Sequence, residues 1–384
     1  MPYVSILSRF AKQPWALRIF LRWVYADERR QMVVTKNIHE SLKKSTVHTS
    51  VPCRIDMGGT LDLGTFYHPL RHLSPCTFNI AVDIRTTVSI LPYSAGRIKV
   101  SSKGFESAEF PADRAPFDHP LGLMFATAAY FQADGTHVII ESGSPPRSAL
   151  GGSSAASVAL TAAYLIALEN LILTPKVRQQ IAFLAHRIEE SVAGVPCGRQ
   201  DHLAAAFGGV NAWYWQPELT GFDYKKSLLY KKRDVGKLRR NILLAYCGVP
   251  HASKDINGRW VRQFLSGEYR SHWYEIVDLT KKFIDALNGC NYKDAADAMN
   301  RETDLRREMT PDVLDEVGVK LTDAARAYEC GSRFTGAGGG GCLWAFGDTG
   351  SIERLRPVWR EILSTRPEGC LLDFDIDTEG LMET

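Results

Sequence analysis

The chain has 384 residues, 45% of them apolar, and a formal net charge of +3. That length suits two domains or one large one with a core of its own. Residues 1–46 carry nine Lys/Arg and three Asp/Glu, a charge of +6 that leaves the remainder at −3, so the body is no polyanion binder and nucleic acid is excluded as its partner on composition.

The stretch SRFAKQPWALRIFLRWVYADERR is basic and amphipathic. Arg or Lys breaks its apolar runs every few residues, which excludes a signal-peptide core and a membrane span. It reads as an accessory extension over 1–46, with membrane-surface contact or a presequence as the alternative. From Thr46 the texture changes. TVHTSVPCRIDMGG reads as a strand entering a Gly turn, and CTFNIAVDIRTTVSILPY, GRIKVSSKG and THVIIESGS read as further strands. Helical periodicity comes next over 154–171 and 176–191, then a strand in GGVNAWYWQ. The basic segment GFDYKKSLLYKKRDVGKLRRN reads as a solvated seam between two halves. The second half opens on the strand RRNILLAYCG and continues as helical stretches over 258–288, 292–307 and 312–330. SRFTGAGGGGCLWAFG is a Gly-rich loop and strand; a helix over 351–363 and the strand CLLDFDID close the chain. This order is α+β rather than strict βαβ alternation. The eight cysteines are scattered and none forms a CxxC pair, so a zinc or redox motif of that kind and a disulfide framework are excluded and a reducing, cytoplasmic setting is expected.

SPPRSALGGSSAAS, residues 144–157, runs straight into an Ala/Leu-rich helix. A flexible linker would continue into more Gly, Ser or Pro. Gly151 and Gly152 allow a tight turn, Ser153 and Ser154 sit at the helix start, and free N–H groups with the helix dipole there favour an anion. It is no Walker A loop, since it lacks the Gly-Lys-Ser/Thr ending. On its own the stretch fits a phosphate cradle or an ordinary capped helix equally.

Three motifs together resemble the GHMP kinases. PRSALGGSSA is similar to the family's Pro-x-x-x-Gly-Leu-Gly-Ser-Ser-Ala, with Ala149 at the first glycine and Gly152 at the first serine. VPCRIDMGGTLDLG is similar to the first motif, with Arg54 at the arginine position, Asp62 at the later aspartate of the sugar-kinase members, and one residue fewer between them. FTGAGGGGCLW is similar to the second Gly-rich loop. The resemblance spans residues 47–384. It implies a two-domain α+β GHMP kinase fold, with an N-terminal ribosomal-protein-S5-like, ATP-binding domain over 47–235, a C-terminal ferredoxin-like α/β domain over 236–384, and the active-site cleft between them.

The resemblance also implies roles. ATP would be held by Pro146, Leu150, Gly151, Gly152, Ser153 and Ser154, and by Gly336, Gly338 and Gly339 of the second loop. Mg²⁺ would be bound by Ser153 and Glu189, with Glu190 as the neighbouring alternative. GRQDHLAAAFGG resembles the segment carrying the catalytic aspartate in the branch of galactokinases, heptose 7-phosphate kinases and fucokinases, so Asp201 would orient or deprotonate the acceptor hydroxyl and Arg54 would hold Asp201 ionised. Taken singly, Asp201 is a turn former, Glu189 a solvated helix residue and Arg54 a surface ion pair; their occurrence in the family's order favours the catalytic roles. Asp62, Arg199 and Arg333 are expected on the acceptor side, the two arginines suiting a phosphorylated sugar, and His251 reads as a loop residue. The expected activity is ATP-dependent phosphoryl transfer to a small-molecule sugar or sugar phosphate, and a homodimer is compatible with it. The alternatives are a mevalonate- or homoserine-like acceptor and a nucleotide-binding sensor without catalysis.

Overall fold

The computed structural model describes residues 38–42, 45–169, 171–194, 196–216, 223–250 and 256–384. Two antiparallel strands organise the first half: β1 (Val47–Met57) and β2 (Cys76–Pro92). They run in register from Val47↔Ile90 to Met57↔Phe78, with a shift between Pro52 and Cys53. Pro52 has no N–H for the ladder, and an irregularity at that point bends the strand and re-aims the residues beyond it, here Arg54 and Asp56. The strands β3 (Arg97–Ser102), β4 (Ala108–Pro111), β5 (Thr136–Ser142), β6 (Val210–Trp215) and β7 (Tyr224–Leu228) complete this layer. Along β2 the early residues pair with β6 and the later ones with β5.

Nearly all of β1 is buried, because helices cover the sheet. These are α1 (Gly122–Tyr130), α2 (Gly152–Glu169), α3 (Pro175–Val192) and α4 (Gln200–Phe207). α2 packs on β1 and β2 and against α3 and α4. It is long and apolar enough to cross a membrane, but most of it is buried in this core. Neither α1 nor α4 shows a clear helical period in the sequence. The end of the basic extension joins the same layer through a short helix, Ile38–Leu42, whose Ile38 and Leu42 are buried. Residues 1–37 of that extension lie outside the described residues.

The second half is a four-stranded antiparallel sheet, β11-β8-β10-β9, built from β8 (Ile242–Tyr246), β9 (Gly331–Phe334), β10 (Cys342–Phe346) and β11 (Cys370–Leu371). Its helices are α5 (Ile256–Ser266), α6 (Arg270–Asn288), α7 (Tyr292–Met309), α8 (Glu316–Ala327) and α9 (Thr349–Leu363). The periodic stretch over 258–288 is two helices, divided where Tyr269 takes left-handed backbone at φ 54°. The stretch over 312–330 starts late, because Asp315 caps α8 by accepting the Gly318 N–H.

Two features bear on how the halves are joined. β7 lies in the basic seam yet pairs with β6 as an edge strand of the first sheet, where Lys225 and Lys226 guard an open edge. The last residues also leave the second domain. Ile376 bridges to Val82, Arg85 pairs with Asp377, and β12 (Met382–Glu383) pairs with β1. The 236–384 segment therefore contributes its final stretch to the first sheet.

A buried aromatic and ionic cluster joins the halves. Phe66 packs tilted against Trp273 with centroids 4.1 Å apart. The Arg306 guanidinium sits 4.5 Å from Trp260 and 4.6 Å from Trp273, and donates to the Gly59 carbonyl at 2.7 Å. Glu302, fully buried, accepts from both Arg306 and Arg333 at 2.9 Å. Removing one member of such a buried set leaves uncompensated charge and costs about 3–5 kcal/mol. Glu302→Gln is therefore expected to lower the urea midpoint by an amount equivalent to about 3–5 kcal/mol; a midpoint unchanged from the parent would show that the cluster carries no such load.

Candidate functional site

Arg54 leaves β1 just past its irregularity and is 4% exposed. Its guanidinium forms a fork on Asp201, Nε to Oδ1 at 2.7 Å and Nη2 to Oδ2 at 3.0 Å. Nη1 donates to the Ala149 carbonyl at 2.7 Å and lies 3.5 Å from Asp56 Oδ1. Asp201 occupies the first turn of α4, where the helix N-terminus favours negative charge, and its side chain is 22% exposed. Burial works against the Arg54 charge, but Asp201 and then Asp56 outweigh it, and its pKa is raised. Burial likewise pushes the Asp201 carboxyl up; Arg54 pulls it back only in part, and the net direction is upward. Arg54 thus restrains Asp201 without driving it below the ordinary carboxylate range, which leaves it more basic than a free aspartate.

The glycine turn abuts this pair. Gly151 holds φ +79°, and a Cβ placed on it would stand 3.3 Å from Asp201 Oδ2, so a side chain there would strain the backbone and press on the carboxylate. Ala149 holds φ 60° without being glycine, a strain of about 1–2 kcal/mol. The loop between β9 and β10 closes on the same site: Gly336 donates to Asp56 Oδ1 at 2.8 Å, and Cys342 at the start of β10 donates to the Ser148 carbonyl at 2.9 Å. Together these segments wall a cavity of about 690 Å³ that Arg54, Asp62, Pro146, Gly151, Gly152, Ser153, Ser154, Glu189, Asp201 and Gly336 line.

α2 begins at Gly152 and presents Ser153 outward. Ser154 turns inward and donates to Glu189 Oε2 at 2.8 Å. His202 Nε2 lies 2.7 Å from the same oxygen. Burial alone would raise the Glu189 carboxyl; His202 and Ser154 outweigh it and hold it below its ordinary value. The donor set here is a carboxylate and hydroxyls, hard oxygen ligands that fit Mg²⁺. Among the described residues no group of three or more His, Cys, Asp or Glu gathers as a metal cage.

Across the cavity Asp62 accepts the Gln200 N–H at 3.0 Å. A Cβ on Gly198 would stand 1.9 Å from Asp62 Oδ2, so only glycine lets the 196–200 turn close over it. Burial raises the Asp62 carboxyl to about 6.

Five expected contacts fall elsewhere. Arg333 is not on the acceptor side: it is fully buried on β9, donating to Glu302 and to Asp56 Oδ2 at 3.0 Å. Arg199 does not line the cavity; its guanidinium donates to Tyr67 Oη at 2.8 Å and Asp223 at 3.0 Å and lies over Phe183. Gly338 and Gly339 do not line the cavity, and the Gly339 N–H donates to the Val313 carbonyl. Leu150 acts through its backbone, its carbonyl accepting the Arg54 N–H at 3.0 Å. His251 lies outside the described residues. Asp56 and His202 are the residues that motif matching passes over. Asp56 stands two positions after Arg54, on the same face of the strand by alternation, and that spacing is legible in the sequence.

Residues 122–209 match the GHMP kinases N terminal domain. A probable glucuronokinase 2 of Arabidopsis thaliana is 28% identical over 155 residues, which are 39% of this chain and 41% of that protein. A mevalonate kinase of Thermococcus sibiricus is 25% identical over 297 residues, 69% of this chain and 80% of that protein. The crystal structure of a D-glycero-D-manno-heptose 1-phosphate kinase from Bacteriodes thetaiotaomicron superposes with a TM-score of 0.66 at 17% identity, covering 88% of this chain and 98% of the other. That likeness shows the fold. Residues 122–209 thus carry a GHMP kinase N-terminal domain, and the motifs along the chain resemble those of that family.

Proposed function

We propose that the protein transfers the γ-phosphoryl group of ATP to a hydroxyl of a sugar. The observation that carries this reading is the Arg54–Asp201 fork held against the Gly151 turn, on one wall of a cavity that Glu189 also lines. The acceptor oxygen attacks the γ-phosphorus while its proton passes to the Asp201 carboxylate, and the β,γ-bridging oxygen departs with ADP. Arg54 fixes the carboxylate and offsets the charge that develops beside it. The amides at the start of α2 face the phosphates. Glu189, with Ser153 beside it on the cavity wall, would hold Mg²⁺, which when bound neutralises phosphate charge.

Asp62 lies where a sugar hydroxyl would be received. Arg333 is buried on β9 and Arg199 is engaged by Tyr67 and Asp223 outside the cavity, which removes the two cations that favoured a phosphorylated acceptor, so an unphosphorylated sugar is preferred. A second reading, a mevalonate-like acceptor, rests on the mevalonate kinase of Thermococcus sibiricus, 80% of whose length aligns. A panel of aldoses, uronic acids, sugar phosphates and mevalonate, scored by ADP release with Mg²⁺ and ATP, separates these. Release with mevalonate alone would select the second reading, and nucleotide binding without release on any acceptor would leave a sensor.

Asp201→Asn removes the proton acceptor but keeps its shape. Turnover on the best acceptor is expected to fall by about 10²–10⁴, with the nucleotide dissociation constant within about threefold of the parent. A variant that retains full turnover would displace Asp201 from its role.

Asp62 gives a pH signature. Its carboxyl is raised in the folded state from 3.8 to about 6, so the native state binds the proton more tightly than the unfolded chain does. That stabilisation is complete below about pH 4 and is lost as the pH rises through about 6. Asp62→Asn is expected to flatten the stability profile between those limits. Relative to the parent it should gain on the order of 2–3 kcal/mol at pH 7.5. Thermal unfolding measured across pH checks it, and parallel profiles would refute it.

A further inference from the structure

Resting on the kinase reading, we infer that His202 is a positioning residue for the metal carboxylate: with Ser154 it grips one oxygen of Glu189 and leaves the other to the divalent cation. His202 sits directly after Asp201 in the first turn of α4 and is fully buried. Its Nε2 lies 2.7 Å from Glu189 Oε2, in a close contact that is bent away from ideal hydrogen-bond geometry. Its Nδ1 has no hydrogen-bond partner among the described residues. The adjacent His186 does not supply one. Its ring stands edge-on with centroids 5.3 Å apart, and its Nε2 lies 3.0 Å from the Cys197 carbonyl oxygen.

Burying a polar atom without a partner costs about 1–3 kcal/mol. An apolar side chain would fill this position among α2, α3 and α4 at no such cost, so packing alone does not account for an imidazole. Its contact with Glu189 does. An ionised carboxylate only accepts hydrogen bonds, so the ring nitrogen that faces it, Nε2, carries a proton. Ser154 approaches the same Oε2 at 2.8 Å from the start of α2. Glu189 Oε2 is thereby approached from two helices, by the Ser154 hydroxyl in a hydrogen bond and by the His202 imidazole in a close contact, and no described residue bonds Oε1. Metal-binding side chains are commonly fixed by such outer partners, whose loss weakens metal affinity by about 10–100-fold.

The test is Mn²⁺ binding to the full chain in the presence of ADP, monitored by electron paramagnetic resonance, with metal-free ADP affinity measured alongside. His202→Leu is expected to weaken Mn²⁺ by about 10–100-fold and to leave metal-free ADP binding as in the parent. His202→Gln restores an N–H at the position of Nε2 and is expected to recover most of the loss. Equal Mn²⁺ affinity in the parent and His202→Leu overturns the inference, as does equal weakness in His202→Leu and His202→Gln, which would mark a packing role. A parent that binds ADP but shows no Mn²⁺·ADP complex sinks the kinase reading itself. Should His202→Leu fail to fold, ¹⁵N imidazole spectra of the parent decide. The Nε2–H tautomer with a signal that moves on adding Mg²⁺ and ADP supports the inference; the Nδ1–H tautomer, or a signal that stays, overturns it.

Discussion

The site depends on a line of alternating charges buried across the junction of the two halves. Glu302 of α7 holds Arg306 and Arg333; Arg333 holds Asp56; Asp56 faces Arg54; and Arg54 forks onto Asp201. No member could be taken out of water alone, since an isolated buried ion is too costly. Each is tolerated because its neighbours carry opposite charge and supply hydrogen bonds at short range. The line therefore fixes where β1, β9 and α4 stand relative to one another. Asp56 takes a third partner, the Gly336 N–H, so the second glycine loop is tied to the same line.

This arrangement accounts for the environment of the reacting groups. The exposed end of the line is Asp201, the member that opens to the cavity. Its carboxyl feels burial on one side and a single arginine on the other, and the balance leaves it raised. Asp56, gripped by Arg54 and Arg333, overcomes its burial and goes the other way. Two aspartates on one arginine are thus set apart by their second partners, which is how a protein gives similar groups different tasks.

Much of this is legible in the residues. The strands of the first sheet announce themselves by alternation, and Arg54, Asp201, Glu189 and the 146–154 loop emerge from motifs matched in order. The features that escape have physical causes. The α4 segment goes unassigned because its Ala run carries too little periodicity. Arg199 and Arg333 look like acceptor cations because a sequence does not say whether an arginine meets solvent or a buried carboxylate; Glu302, 31 positions from Arg333, gives no local sign of the pairing. His202 goes unnoticed beside Asp201 because its worth lies in contact with Glu189, thirteen positions earlier and on another helix. Only the strand-end pairing reveals that the last residues belong to the first sheet.

That pairing has a consequence for how the molecule is made. Thr49 lies opposite Glu383 and Ser50 opposite Met382, so the outer edge of β1 waits for a partner translated more than three hundred residues later. During synthesis the early sheet emerges with one side bare, and such unpaired edges are prone to wrong association. Contacts this distant in sequence also slow folding, because the loop must close before it is rewarded. The nascent protein thus carries an unfinished first layer for as long as its second domain takes to be made, and that layer is sealed only after its neighbour has emerged.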